Sequence, residues 1–125
     1  MADRFEDARG VIQDLLVRPL DGVTRVTTLA GHVRGNHVHG LSWQWNYILS
    51  GRLLVAVVLD DGVHEDVYGP DDLIPEPPGT PHAWRAISDC AVLVFRHGPA
   101  TGEGYESDVR RLDEKDWLLR PEIPA

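Results

Sequence analysis

At 125 residues the chain has the length of one domain and enough of it to bury a core, so a single folded unit over 1–125 is expected. Its 20 acidic and 12 basic side chains leave a formal charge of −8, which repels phosphate backbones and anionic membranes and weighs against nucleic acid and membrane as partners. One cysteine excludes an intrachain disulfide framework, and without a basic, apolar leader or a run of bilayer length the sequence points to a cytoplasmic protein.

Along the chain, residues 3–8 suit a short helix and Asp14-Leu15-Leu16 a turn. Short apolar or alternating runs then recur at 22–31, 43–49, 53–59, 63–68, 82–87 and 91–95, separated by Gly, Pro and Asp, as in an antiparallel β-sandwich or barrel. Asp60-Asp61-Gly62 suits a hairpin turn, because Asp and Gly tolerate the left-handed backbone such turns need. Cys90 opens the apolar run Ala91-Val92-Leu93-Val94-Phe95 and reads as a small buried thiol. Gly98 to Gly104 reads as a loop, Tyr105-Glu106-Ser107-Asp108 as a tail strand, and 113–118 as a short helix with Asp113 as N-cap. The runs at 53–59 and 91–95 are apolar on both faces, which calls for cover on both sides. A second subunit, giving a homodimer, is favoured over cover by the chain's own termini.

His37-Val38-His39 is the most informative local pattern. Residues i and i+2 of a strand share a face about 6.5 to 7 Å apart, close enough for two imidazoles to converge on one ion. His82, in Pro77-Pro78-Gly79-Thr80-Pro81-His82, offers a distant third ligand. Two local ligands and one remote one are how a β-barrel assembles a metal site, so metal binding leads. Alternation from Gln44 puts Asn46 and Ile48 on the inward face, and alternation from His82 puts Trp84 and Ala86 there, as pocket lining. Trp43, Trp45 and Tyr47 then face outward, where an aromatic stripe is more often a packing surface or subunit contact. His32 and His64 read as surface residues. His97 joins the pocket if Val92, Val94 and Arg96 face away from it, a parity the sequence leaves open. Arg34-Gly35-Asn36 is either an anion-steering group or an exposed turn.

From Gly31 the chain runs through His37, His39 and Gln44 to Gly51, which resembles the first motif of the cupin family, with glutamine where many members have glutamate. Asp72-Leu73-Ile74 and the segment from Pro77 to His82 resemble the second motif, with Asp71 standing where the family usually has glycine. The two motifs cover 31–51 and 69–86. The resemblance implies an all-β double-stranded β-helix, a jelly-roll barrel with short helical turns at its ends. It also implies that His37, His39 and His82 are metal ligands and that Gln44 occupies the carboxylate's position. An amide oxygen is a weak ligand, so Gln44 either binds the ion or holds a water or substrate by hydrogen bonding.

Three neutral imidazoles and a neutral amide would leave a divalent ion its full charge, a strong Lewis acid. Imidazole suits Fe, Zn, Ni, Mn, Co or Cu without choosing among them. The leading expectation is an enzyme acting on a small oxygen-chelating substrate, either a dioxygenase or an isomerase, epimerase or cyclase. The alternative is a non-catalytic cupin that binds or senses a small ligand or metal, and the blandest is a barrel that has lost its metal or keeps a structural ion.

Overall fold

The computed structural model describes residues 4–99 and 102–123. Among these, the strands are β1 (Arg4–Asp7), β2 (Gly10–Gln13), β3 (Gly22–Thr28), β4 (Val33–His39), β5 (Trp43–Ser50), β6 (Leu53–Leu59), β7 (Gly62–Tyr68), β8 (Leu73–Glu76), β9 (His82–Ala86), β10 (Cys90–His97) and β11 (Val109–Arg111). One helix, α1 (Gly102–Asp108), and a single 3-10 turn over Glu114–Asp116 complete the description.

Two antiparallel sheets face each other, one ordered β3-β10-β5-β8 and the other β11-β4-β9-β6-β7, with β1 and β2 as a separate hairpin. This is the jelly-roll barrel that the motifs imply. Its core is the interface between the sheets: Ile48, Val92 and Val94 from one pack against Leu53, Val55, Trp84 and Ala86 from the other. Complete burial of Ile48 is worth about 2 to 3 kcal/mol on transfer grounds.

The ends depart from expectation. Residues 4–7 form a strand, not a helix, because Phe5 pairs with Ile12 across a tight turn in which the Arg9 amide donates to Asp7 Oδ1 at 2.9 Å. Residues 105–108 belong to helix α1 rather than a tail strand. Pairing begins only at Val109, opposite His39, where Asp108 has docked: its carboxylate accepts the Leu41 and Ser42 amides at 2.7 and 3.1 Å. The 113–118 helix shrinks to one 3-10 turn, and the Asp113 side chain makes no capping hydrogen bond. In the segment read as a loop over 98–104, positions 100 and 101 lie outside the described residues, and 102–104 already belong to α1.

The outer face of β6 is covered by the chain's own C-terminal segment. Leu119 packs on Ala56 and Ala83, with Val33, Leu54 and Leu118 around them. Asn36 pins that segment: its amide nitrogen donates to the Leu119 carbonyl at 3.0 Å, and its oxygen accepts the Leu118 amide at 2.7 Å and that of Leu119 at 3.3 Å. The apolar outer face of β6 therefore needs no second subunit. Outside the other sheet, Trp43 and Trp45 stack at 5.4 Å and the Arg18 guanidinium lies 4.6 Å from the Trp45 ring centre, so part of the aromatic stripe is also covered from within the chain.

Asp71 shows why the second motif survives the loss of its glycine. Its φ is 72°, in the left-handed region that Asp enters more readily than most residues, and its carboxylate accepts the Tyr47 hydroxyl at 2.5 Å.

Candidate metal centre

The site begins with a fault in strand pairing. β4 and β9 run in register from Val33 opposite Arg85 to Gly35 opposite Ala83, and then skip, so that His37 rather than Asn36 lies opposite His82. Gly35 and Asn36 make the skip with φ values of 90° and 56°. The inserted residue exchanges the two faces of the strand beyond it. Without it His37 and His39 would point to the outer surface; with it they join His82 inside. Gly35 is needed for a second reason, since a Cβ there would come within 3.0 Å of both the Ala83 Cα and the His82 carbonyl oxygen.

The three imidazoles each offer a nitrogen, all within 4.8 Å of one another. His37 Nε2 lies 3.1 Å from His82 Nε2. The His82 Nδ1–H donates to the Thr80 carbonyl at 3.1 Å, which fixes the tautomer and leaves Nε2 with its lone pair facing the cluster. His39 turns Nδ1 towards Asp108 Oδ2, 3.9 Å away. Burial raises the Asp108 carboxyl's pKa, but hydrogen bonds from Ser42 and the Leu41 and Ser42 amides outweigh this and keep it below the usual range.

All three rings are held neutral. Burial, reinforced by His82, His39 and Arg111, lowers the pKa of His37 to about 3. Burial lowers that of His39 to about 4, with His82 and Arg96 acting in the same direction and Asp108 against them. Burial lowers that of His82 to about 4, against the opposing effect of its bond to Thr80. Neutral, convergent imidazoles, one of them with its tautomer fixed, are the kind of donor set a divalent transition ion requires, so the residues present fit such an ion.

The opposite sheet supplies the other wall. Gln44 is buried, with Glu76 of β8 as its partner in pairing and Arg96 of β10 on its other side. Glu76 is the residue that sequence reading missed. It is only 3% exposed; its Oε1 accepts the Asn46 amide at 2.6 Å, and its Oε2 lies 3.1 Å from His82 Nε2. Burial raises its pKa to about 8, against the lowering effect of the Asn46 bond. The signal was present in the sequence, as a Glu two residues beyond Ile74 shares that residue's buried face, but the short strand between prolines concealed it.

Of the pocket residues expected, Asn46 stands beside the cluster through Glu76. Ile48 and Trp84 face inward as alternation predicts, but belong to the filled apolar core rather than to open lining. His97 is corrected outright. Cross-strand partners share a face, and β10 pairs Val92 with Ile48, Val94 with Asn46 and Arg96 with Gln44, so the even positions point inward. His97 points outward beside Trp43, with its side chain 42% exposed and Nδ1 3.6 Å from Asp21 Oδ2. Arg34 and Asn36 are occupied elsewhere, the arginine in bonds of 2.8 and 2.9 Å to Thr28 Oγ1 and the Thr27 carbonyl, the asparagine in pinning the tail.

Among curated proteins, an oxalate decarboxylase from Arthroderma benhamiae is 31% identical over 98 residues, 76% of this chain but 23% of that protein, so the chain spans about a quarter of its relative. Among solved structures, QdtA, a sugar 3,4-ketoisomerase from Thermoanaerobacterium thermosaccharolyticum in complex with TDP, superposes with a TM-score of 0.74 at 15% identity, covering 92% of this chain and 87% of that one. The dTDP-4-dehydrorhamnose 3,5-epimerase from Sulfolobus tokodaii gives 0.69 at 16% identity, covering 94% and 78%. NovW, a 4-keto-6-deoxy sugar epimerase from Streptomyces spheroides, gives 0.71 at 14% identity, covering 98% and 72%. These likenesses establish a common fold. The family model of the cupin domain matches residues 24–96, more than half the chain and all of both motifs, and the protein therefore belongs to the cupin family.

Proposed function

We propose that the protein is a metal-dependent cupin enzyme in which His37, His39 and His82 hold one divalent transition ion and present it to a small substrate that binds through oxygen atoms. The observation that carries this reading is the convergence of three imidazole nitrogens within 4.8 Å, those of buried His39 and His82 and half-buried His37, brought to one face by the irregularity at Gly35 and Asn36. When bound, the ion would act as a Lewis acid that polarises a carbonyl or stabilises an enolate oxygen. The chain's own groups prepare the site: Thr80 fixes the His82 tautomer, and burial favours the neutral imidazoles, each with one nitrogen lone pair to give. Arg96 and Arg111 lie close enough to lower the pKa values of His39 and His37, and their positive potential favours a substrate with an anionic oxygen.

Two reaction classes suit such a site: isomerisation, epimerisation or cyclisation beside a carbonyl, and dioxygenation if the ion is Fe(II). Protein purified without chelator is expected to carry one Fe, Zn, Ni, Mn, Co or Cu ion per chain and to lose it in His37→Ala and His82→Ala. No stoichiometric metal, with no change in these variants, would overturn the reading. Oxygen uptake against a panel of enolisable dicarbonyls separates dioxygenation from isomerisation, which is followed instead by exchange of the substrate's α-proton with deuterium. Metal binding with neither activity would favour a ligand-binding or sensor cupin.

We read the protein as a cytoplasmic homodimer. The β1–β2 hairpin leaves Phe5, Val11 and Ile12 exposed, an apolar surface for a second copy. None of the described helices is long and apolar enough to cross a membrane.

A further inference from the structure

The buried carboxylate of Glu76 needs an explanation that the three imidazoles alone do not provide. Its side chain is 2% exposed, and its contacts are Asn46 Nδ2 at 2.6 Å on one oxygen and His82 Nε2 at 3.1 Å on the other. Its partners are an amide and an imidazole, and neither carries a fixed charge. Burial of a carboxylate without compensating charge is costly, and natural proteins resolve it by neutralising the group, by pairing or by metal coordination.

The contact with His82 is informative because of the atom it uses. Nε2 is the nitrogen whose lone pair faces the cluster, since Nδ1–H is committed to Thr80. A lone pair given to an ion is no longer available to Glu76, so loading the site leaves Oε2 directed at whatever His82 binds. The spacing agrees. His37 Nε2 and Glu76 Oε2 each lie 3.1 Å from His82 Nε2, the separation of two donors sharing one ion through bonds of about 2.0 to 2.2 Å, and since the donors within 4.8 Å of one another are those of the three histidines, Oε2 reaches the ion by turning from His82 towards them.

Position completes the case. Glu76 lies directly opposite Gln44 in the β5–β8 pairing, so the two side chains occupy neighbouring places on one inward face. We propose that Glu76 supplies, from β8, the carboxylate that the glutamine of β5 does not, and that Oε2 is the fourth protein donor to the ion held by His37, His39 and His82. The ion then carries a net charge one unit lower than three imidazoles and an amide would leave it. Asn46 acts as the positioning residue by holding Oε1.

This assignment rests on the metal-site reading above, and cobalt titration separates the two. Apoprotein is titrated with Co(II) against a competing chelator while the visible d–d spectrum is recorded. Wild type is expected to bind one ion per chain. Glu76→Gln, which conserves shape and the capacity to bond Asn46, is expected to bind about 30-fold or more weakly with a changed d–d spectrum. The double variant Gln44→Glu/Glu76→Gln returns a carboxylate to the adjacent strand and is expected to recover most of the affinity. Circular dichroism of the apo variants verifies that each is folded. If wild type binds Co(II) but Glu76→Gln has the same affinity, or the same spectrum at reduced affinity, the carboxylate is not a donor and the proposal is overturned while the metal site stands. If wild type itself takes up no Co(II), the metal site fails and the proposal with it.

Discussion

At the residue scale, the site stores two opposing pH dependences in the metal-free protein. His37, His39 and His82 have pKa values lowered from 6.5 to about 3, 4 and 4, so below pH 6.5 the unfolded chain takes up protons that the folded chain refuses. Their contribution is complete above pH 6.5 and is lost as the pH falls, towards 4 for His39 and His82 and towards 3 for His37. Glu76 runs the other way. Its folded-state pKa is raised from 4.5 to about 8, so the unfolded chain releases a proton that the folded chain retains, and the cost to stability grows as pH rises through that interval. Glu76→Gln removes this cost. Calorimetry of apoprotein in chelator should show a gain in Tm that is absent near pH 4 and largest near pH 8, the limits set by that shift. A gain of equal size at both ends would show that the carboxyl is not held protonated.

At the scale of the element, the decisive feature is the irregularity in β4. Gly35→Ala would place a methyl group within 3.0 Å of the β9 backbone at a residue whose φ is 90°. The expected cost is about 2 to 4 kcal/mol by chemical denaturation, accompanied by weakened metal binding, because relief of the clash disturbs the register that places His37 opposite His82. Retained affinity in a destabilised variant would mean that the histidines do not depend on this register. Asn36 links the same element to the tail. Asn36→Ala strips partners from the half-buried Leu118 amide and the buried Leu119 carbonyl, and is expected to cost about 2 to 4 kcal/mol and to speed amide exchange selectively around residues 117–122. Uniform acceleration across both sheets would argue against a local role.

At the scale of the whole molecule, the covered and uncovered faces decide where a second copy could bind. The C-terminal segment closes the outer face of β6, and Trp45 and Tyr47 are buried, while Phe5, Val11 and Ile12 make the β1–β2 hairpin an exposed apolar surface open to assembly. A two-stranded hairpin is marginal by itself, and a partner would stabilise it. Light scattering is expected to find a dimer for the wild type and a monomer for Phe5→Lys/Ile12→Lys. A wild-type monomer, or a dimer unaffected by these changes, would remove the hairpin from that role.

By itself the sequence determined the barrel and its three histidines. Strand periodicity, turn chemistry and the two motifs are local patterns, and the i, i+2 spacing of His37 and His39 survives any folding of the chain into strands. What it left open depends on which strand lies beside which, and in what register. The parity of β10 was undetermined until Arg96 was seen opposite Gln44, which turned His97 outward. Cover for β6 came from residues more than 50 positions away in the chain, at Leu118 and Leu119, a distance over which no periodicity speaks. Most consequential is the charge of the site. Read along the strand, Gln44 made it an all-neutral ligand set; read across the sheet, Glu76 lies beside it and meets His82. Alternation from Ile74 puts Glu76 on the inward face, but only tertiary pairing sets it beside Gln44 and against His82, because that place is fixed by hydrogen bonds between β5 and β8 and not by its spacing from any other ligand.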